Sequence, residues 1–208
     1  MRKTTILVLA LSAMLAITGH VGRAAAVEQE PVVSLSDCEW CGAGEAPANA
    51  SWECQIAGPD EEGEALVITG TIFHADGVKP ASNVVLYVYH TNAQGIYPRR
   101  GDETGNARRH GYLRGWLRTG EDGRYRISTI KPASYPTGSE PAHIHAVVLE
   151  PGRPEYWIDS FLFEGDPLLT DRRRARLDGI GGDGVVALTR DAAGIWRGER
   201  DIMLKPAP

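Results

Sequence analysis

The apolar positions of this chain fall into short, bounded runs rather than into helical stripes. The clearest is His143-Ile144-His145-Ala146-Val147-Val148-Leu149, set inside Tyr135–Glu150 (YPTGSEPAHIHAVVLE). A β-branched run of this length, preceded by turn residues, predicts a buried strand. Leu66–Phe73 (LVITGTIF) and Val84–His90 (VVLYVYH) predict two more, built from types that a pleated sheet accommodates. Tyr112–Thr119 and Arg124–Thr129 flank Glu121-Asp122-Gly123, a hairpin signal. In the second arm Tyr125 and Ile127 alternate with Arg124, Arg126 and Ser128, which gives one buried and one wet face. Tyr156–Phe163 (YWIDSFLF) is a further strand, and Val185–Thr189 with Ile195–Leu204 reads as a closing hairpin around Asp191-Ala192-Ala193-Gly194. Asn92–Gly111 is a long polar loop carrying Arg99, Arg100, Arg108 and Arg109. Leu168–Arg176 reads as a short helical turn whose Arg172, Arg173, Arg174 and Arg176 are solvated. Many short strands with little helix predict an all-β protein, a β-sandwich with long loops.

The two ends of this pattern change the picture. Arg2 and Lys3 precede the apolar run Ile6–Ile17, and Ala24-Ala25-Ala26 offers a cleavage site, so residues 1–26 read as a signal peptide and the protein as exported. That run is too short to span a bilayer, and no membrane span is expected. Residues 27–64 read as an irregular N-terminal arm, rich in Pro, Ala, Gly and acids, and residues 65–208 as the β-sandwich domain. Removing residues 1–26 takes Arg2, Lys3 and Arg23 and no acid, leaving 19 basic against 27 acidic residues. The resulting acidic surface argues against nucleic acid as a partner. The arm holds all three cysteines, Cys38, Cys41 and Cys54. Export favours a disulfide, and the local Cys38–Cys41 pairing is preferred over either pairing of Cys54. The Cys38-Glu39-Trp40-Cys41 spacing lacks the βαβ context of a redox motif, and a structural zinc site lacks its fourth ligand.

Candidate chemistry centres on His143 and His145. Alternation along a strand projects both from one side, with Cα atoms about 6.5–7 Å apart, close enough to share a metal ion. Two histidines hydrogen-bonded in a half-buried sheet would give the same pattern. Tyr97 and Tyr135 lie in polar stretches where no sandwich strand needs them, beside the scaffold. Taken alone, each is more often a packing or interface residue than a ligand. Together, two phenolates and two neutral imidazoles would form an anionic nitrogen and oxygen set suited to ferric iron, unlike the two-histidine, one-carboxylate set of ferrous oxygenases.

At these residues the chain resembles the intradiol ring-cleavage dioxygenases, the protocatechuate and catechol dioxygenases. The resemblance is carried by LVITGTIF with DGVKPASNVVLYVYHTNAQGIY, then GWLRTGEDGRYRISTIKPASYP, PAHIHAVV and SFLFEGDPLL, in order from about Leu66 to Leu169. It implies a β-sandwich holding one Fe(3+) through Tyr97, Tyr135, His143 and His145. It also implies a small aromatic diol and dioxygen as reactants, with Tyr135 leaving the metal to act as a base. Two positions depart from the family pattern and are the candidates for substrate contact. Glu140 stands where protocatechuate-type members carry an arginine, with a replacement sought among Arg99–Arg109, and Ser160 stands where they carry a glutamine. The competing readings are a secreted transthyretin-like binding module and a metal-binding homologue that has lost ring cleavage. Monomer and homo-oligomer are both compatible with the sequence.

Overall fold

A computed structural model of the chain describes residues 38–206. The expected signal peptide, and the first part of the expected arm, lie outside the described residues. Among the described residues eleven strands form two sheets. In the first, β1 (Glu53–Gln55), β5 (Arg124–Ile130), β2 (Ala65–Phe73), β10 (Trp196–Glu199) and β9 (Thr189–Arg190) lie in that order, with β11 (Ile202–Met203) beside the far end of β2. In the second the order is β4 (Arg114–Arg118), β3 (Val85–His90), β6 (His143–Leu149), β7 (Tyr156–Phe163) and β8 (Val185–Val186). Two one-turn helices, α1 (Ala107–His110) and α2 (Asp171–Arg174), complete the described elements with a 3₁₀ turn at Ala43–Glu45. Among the described residues no helix is long and apolar enough to cross a membrane.

The expected all-β sandwich is what forms. Leu66, Ile68 and Ile72 of β2 and Tyr125 and Ile127 of β5 meet Leu86 and Val88 of β3, Ile144, Ala146 and Val148 of β6, and Phe161 and Phe163 of β7 in one buried cluster. Each buried Val, Leu, Ile or Phe among them stabilises the fold by about 1.5–3 kcal/mol relative to exposure. The alternation that fills this core on one side of β6 puts His143, His145 and Val147 on the other.

Three local expectations change. Glu121-Asp122-Gly123 does not close a hairpin: β4 pairs with β3, whereas β5 pairs with β2 and β1 in the other sheet. The turn is a corner between sheets, with the Ile72 N–H donating to Gly123 O at 2.8 Å. Alternation fixes which side chains are buried, and Leu117, Tyr125 and Ile127 are buried in the same core from opposite sides. A tight-turn signal serves either geometry. The closing hairpin is real but short, β9 against β10, because its outer arms leave to other partners: β8 joins β7 and β11 joins β2. Finally, the stretch expected to be irregular contains β1, which pairs parallel with β5, and the Ala43–Glu45 turn. Neither is long enough to show a period.

The expected Cys38–Cys41 disulfide is formed, with Cα atoms 5.4 Å apart. Cys54 in β1 is free and half-buried. The residues after the disulfide cover the outer face of the second sheet, where Ala43 packs with Val85, Tyr87, Tyr89 and Val147.

Candidate metal centre

Each tyrosine is delivered by a loop and both histidines by β6. The turn bearing Tyr97 is wound around Asn92, whose Oδ1 accepts the N–H groups of Gln94 and Ile96, both at 3.0 Å. Gly95 has φ +77°, and a Cβ there would stand 2.0 Å from Ser134 O. Only glycine allows this backbone so close to the segment bearing Tyr135. The Ala133 N–H donates to Asn92 O at 3.1 Å and Thr91 Oγ1 donates to Ala133 O at 2.7 Å, so the two loops are stitched together. His143 opens β6 and His145 lies opposite Tyr89 of β3.

These elements bring all four expected side chains to one point. Tyr97 Oη lies 2.7 Å from Tyr135 Oη and 2.8 Å from His145 Nε2. The Nε2 atoms of His143 and His145 are 2.9 Å apart, and Tyr135 Oη is 3.3 Å from each. His143 Nδ1–H donates to Pro141 O at 2.7 Å, which leaves its Nε2 as a bare lone pair. The cluster therefore holds at most three protons, one on each phenol and one on His145 Nε2, for five short contacts. At least two contacts press lone pairs together, an arrangement that a cation at the centre relieves. Ligands about 2.0–2.1 Å from a first-row ion and about 90–109° apart stand about 2.9–3.4 Å from one another, close to the spacings found. The donor set fits a metal ion. Among the described residues no three His, Cys, Asp or Glu side chains converge in this way, so the phenols are indispensable to the set.

Burial sets the charge of the cluster's side chains. It lowers the pKa of His143, and it lowers that of His145 well below the ordinary value, with His143, His110 and His90 adding like-charge repulsion. Burial, then the hydrogen bond to Tyr135, raises the pKa of Tyr97. Both imidazoles are held neutral, the form in which imidazole ligates.

The two candidates for substrate contact fall differently. Ser160 lies where β6 and β7 slip register: Ile144 faces Phe161 and Ala146 faces Ile158, so Asp159 and Ser160 together oppose His145. Glu140 is exposed and forms an ion pair of 2.5 Å with Arg173 of α2. It does not turn inward, and its partner comes from the segment read as solvated rather than from Arg99–Arg109. Arg173 also donates to Ser139 O, so a single guanidinium holds both residues. Sequence reasoning missed three residues behind the cluster: Tyr89, His110 and His90. Tyr89 was legible, being two residues from Tyr87 on the face that β3 shares with His145. His110 was not, because it belongs to a one-turn helix in a polar loop.

A sandwich with two tyrosines and two histidines converging at one end of β6 defines the class, and similarity to known proteins gives the family. The dioxygenase family "Dioxygenase_C" matches residues 42–176, more than half of the chain. The chain belongs to the intradiol dioxygenases. It is 35% identical over 129 residues to a catechol 1,2-dioxygenase of Acinetobacter lwoffii, covering 54% of this chain and 40% of that protein. It is 34% identical over 113 residues to the protocatechuate 3,4-dioxygenase beta chain of Burkholderia cepacia, covering 51% and 48%. The dioxygenase domain of a dioxygenase and carbohydrate-binding fusion from the cellulolytic bacterium Streptomyces sp. SirexAA-E superposes with a TM-score of 0.57 at 25% identity, over 77% of this chain and 92% of that one. The chain spans less than half the length of the curated relatives quoted.

Proposed function

We propose that the chain is an exported iron(III) dioxygenase that opens a vicinal diphenol between its two hydroxylated carbons, both atoms of dioxygen entering the product diacid. The observation that carries this reading is the proton-poor cluster of Tyr97, Tyr135, His143 and His145 in an intradiol dioxygenase fold. Two phenols beside two neutral imidazoles suit a hard trivalent cation, which holds phenolate at a pH where the free phenol is protonated. Bound there, the ion supplies Lewis-acid charge stabilisation and a template on which diol and dioxygen meet.

The chain's own residues have separable roles. His143 and His145, fixed on a central strand, orient the set. Tyr97, half-buried and hydrogen-bonded to Tyr135 and His145, completes its inner side. Tyr135 is carried on the outer loop, with exposed residues 136–140 following it, and is the group placed to give way to an entering diol and take its proton. Ser160, opposite His145 in the β6–β7 bulge, is the candidate for contact with the incoming ring, a reading supported by the strand register. Export rests on the N-terminal pattern and is in keeping with the disulfide, a bond of oxidising compartments.

Purified mature protein is expected to carry close to one ferric ion per chain and to be red-brown from phenolate-to-iron charge transfer. Anaerobic catechol should shift that band, and admitting oxygen should then consume about one dioxygen per ring opened. Protein that stays colourless after iron reconstitution overturns the reading. Export is checked separately by N-terminal sequencing of extracellular or periplasmic protein, which should begin at Val27; an intact Met1 overturns it.

A further inference from the structure

Behind His145 lies a stack of rings that the ligand set does not explain. Tyr89 faces His145 across the β3–β6 ladder, their rings 4.5 Å apart and 18° from parallel. His110 stacks on the same tyrosine, centroids 3.6 Å apart and 7° from parallel. Two nearly parallel rings so close to one centroid cannot share a face without overlapping, so Tyr89 is held between His110 and His145. His110 is buried and fixed at both ring nitrogens. Its Nε2–H donates to Glu39 O at 2.7 Å, which leaves Nδ1 to accept the Tyr87 hydroxyl, also at 2.7 Å.

The carbonyl that fixes His110 belongs to the loop closed by Cys38–Cys41. That loop is itself anchored. Glu155 Oε2 accepts the N–H groups of Gly42 and Ala43 at 2.9 and 2.7 Å, and Trp116 Nε1–H donates to Gly42 O at 2.7 Å. Gly42 lies against Tyr87 so closely that a Cβ would stand 2.4 Å from Cε1 of its ring. A packed path thus runs from the disulfide loop through His110 and Tyr89 to the back of His145.

We propose that His110 is a positioning residue for His145, acting through Tyr89, and that the disulfide-closed loop holds His110 in place. The proposal rests on the metal reading above. An imidazole with a ring locked against its face cannot swing about its own axis, so its Nε2 stays aimed at the other three donors. A histidine that served only to satisfy Glu39 O and Tyr87 Oη would need no parallel ring at 3.6 Å. Groups that orient metal ligands typically raise metal affinity about 10–100-fold.

The test uses the mature full chain loaded with ferric ion. The readouts are the rate of ferric loss to a hydroxamate chelator, the charge-transfer band, and, in metal-free protein, the NMR resonance of the His145 ring. His110→Ala is expected to release ferric ion about 10–100-fold faster than wild type, to broaden or shift the band, and to move the His145 resonance as Tyr89 loosens. His110→Phe keeps a ring in the stack and should stay within about threefold of wild type, a rescue that loss of polar partners alone would not give. Cys38→Ser with Cys41→Ser touches neither ring and should release the ion at least about threefold faster; it carries the test if His110→Ala does not fold. Wild-type release rates and an unmoved His145 resonance in both His110→Ala and the double cysteine variant overturn the proposal. A wild type that takes up no ferric ion overturns the metal reading itself, and the two failures are thereby told apart.

Discussion

Tyr97 enters the cluster as a neutral phenol, and its proton is the cluster's most informative feature. Burial and the bond to Tyr135 push the Tyr97 phenol up, so a cation that binds there must displace a proton. Uptake of one ferric ion by the apo-protein should release about two protons, read with an indicator in weakly buffered solution. Release of none would show that the phenols are not donors. Tyr135→Phe removes one oxygen and one proton while leaving the sheets intact; the charge-transfer band should move and oxygen uptake should fall at least about tenfold. An unchanged spectrum with unchanged turnover would exclude Tyr135 from the set. Glu140 belongs to a different category. Its exposed pair with Arg173 is worth about 0–1 kcal/mol, and its charge is screened by water and by that guanidinium. Glu140→Gln should therefore change the ratio of oxygen uptake on a neutral and a carboxylated catechol by less than about fivefold. A larger change would mean that the carboxylate reaches the substrate in solution.

Strand β6 joins core and site in adjacent residues. His143 and His145 face the cluster while Ile144 between them is fully buried in the sandwich core. Ile144→Ala should cost about 2–5 kcal/mol of stability and loosen both histidines together, measured by denaturant unfolding and by iron retention in the folded variant. Gly95→Ala should act on the tyrosine side. It forces a Cβ to 2.0 Å from Ser134 O at a backbone angle of φ +77° and should part the two loops. This division also separates what was legible in the sequence from what was not. His143-Ile144-His145 could be read because a period of two assigns faces without knowledge of partners. The sandwich core was legible for the same reason. The tyrosines could be placed only by family resemblance, since loops carry no period, and the geometry of Asn92 and Gly95 that joins them lies in side-chain and backbone detail. The Gly120–Gly123 corner was misread because which sheet a strand joins is decided by partners distant in sequence. His110 was invisible because its neighbours come from two segments distant in sequence, Glu39 from the disulfide loop and Tyr87 and Tyr89 from β3.

Over the whole molecule, four histidines are held neutral around one end of the second sheet, His90 and His110 buried and His143 and His145 half-buried, each with its pKa lowered chiefly by desolvation. His90 is the firmest case. It is fully buried, its pKa falls to about 4, and its ring bonds to Thr91 O and Thr129 Oγ1, both at 2.7 Å. It ties β3 to the end of β5 and so the two sheets to each other. The sign follows from linkage. A histidine near its ordinary value of about 6.5 in the unfolded chain takes up a proton there before the native state can. Its stabilising effect is therefore complete above pH ~6.5 and is lost as pH falls toward the native value of about 4. For His90 alone the loss amounts to about 3 kcal/mol across that interval. The carboxylates with lowered pKa, Asp76, Glu103, Asp122 and Asp191, begin to lose their own contribution as pH falls toward their unfolded values of about 3.9–4.3, so the histidine loss is read alone only above about pH 5. Metal-free protein should thus lose unfolding free energy steadily between pH 6.5 and 4, measured from urea midpoints at constant m. His90→Gln should begin less stable at pH 7.5 and show a shallower slope, because it has no proton to gain. Parallel slopes for wild type and variant would show that His90 does not titrate on unfolding, and that the acid sensitivity of the sandwich arises elsewhere.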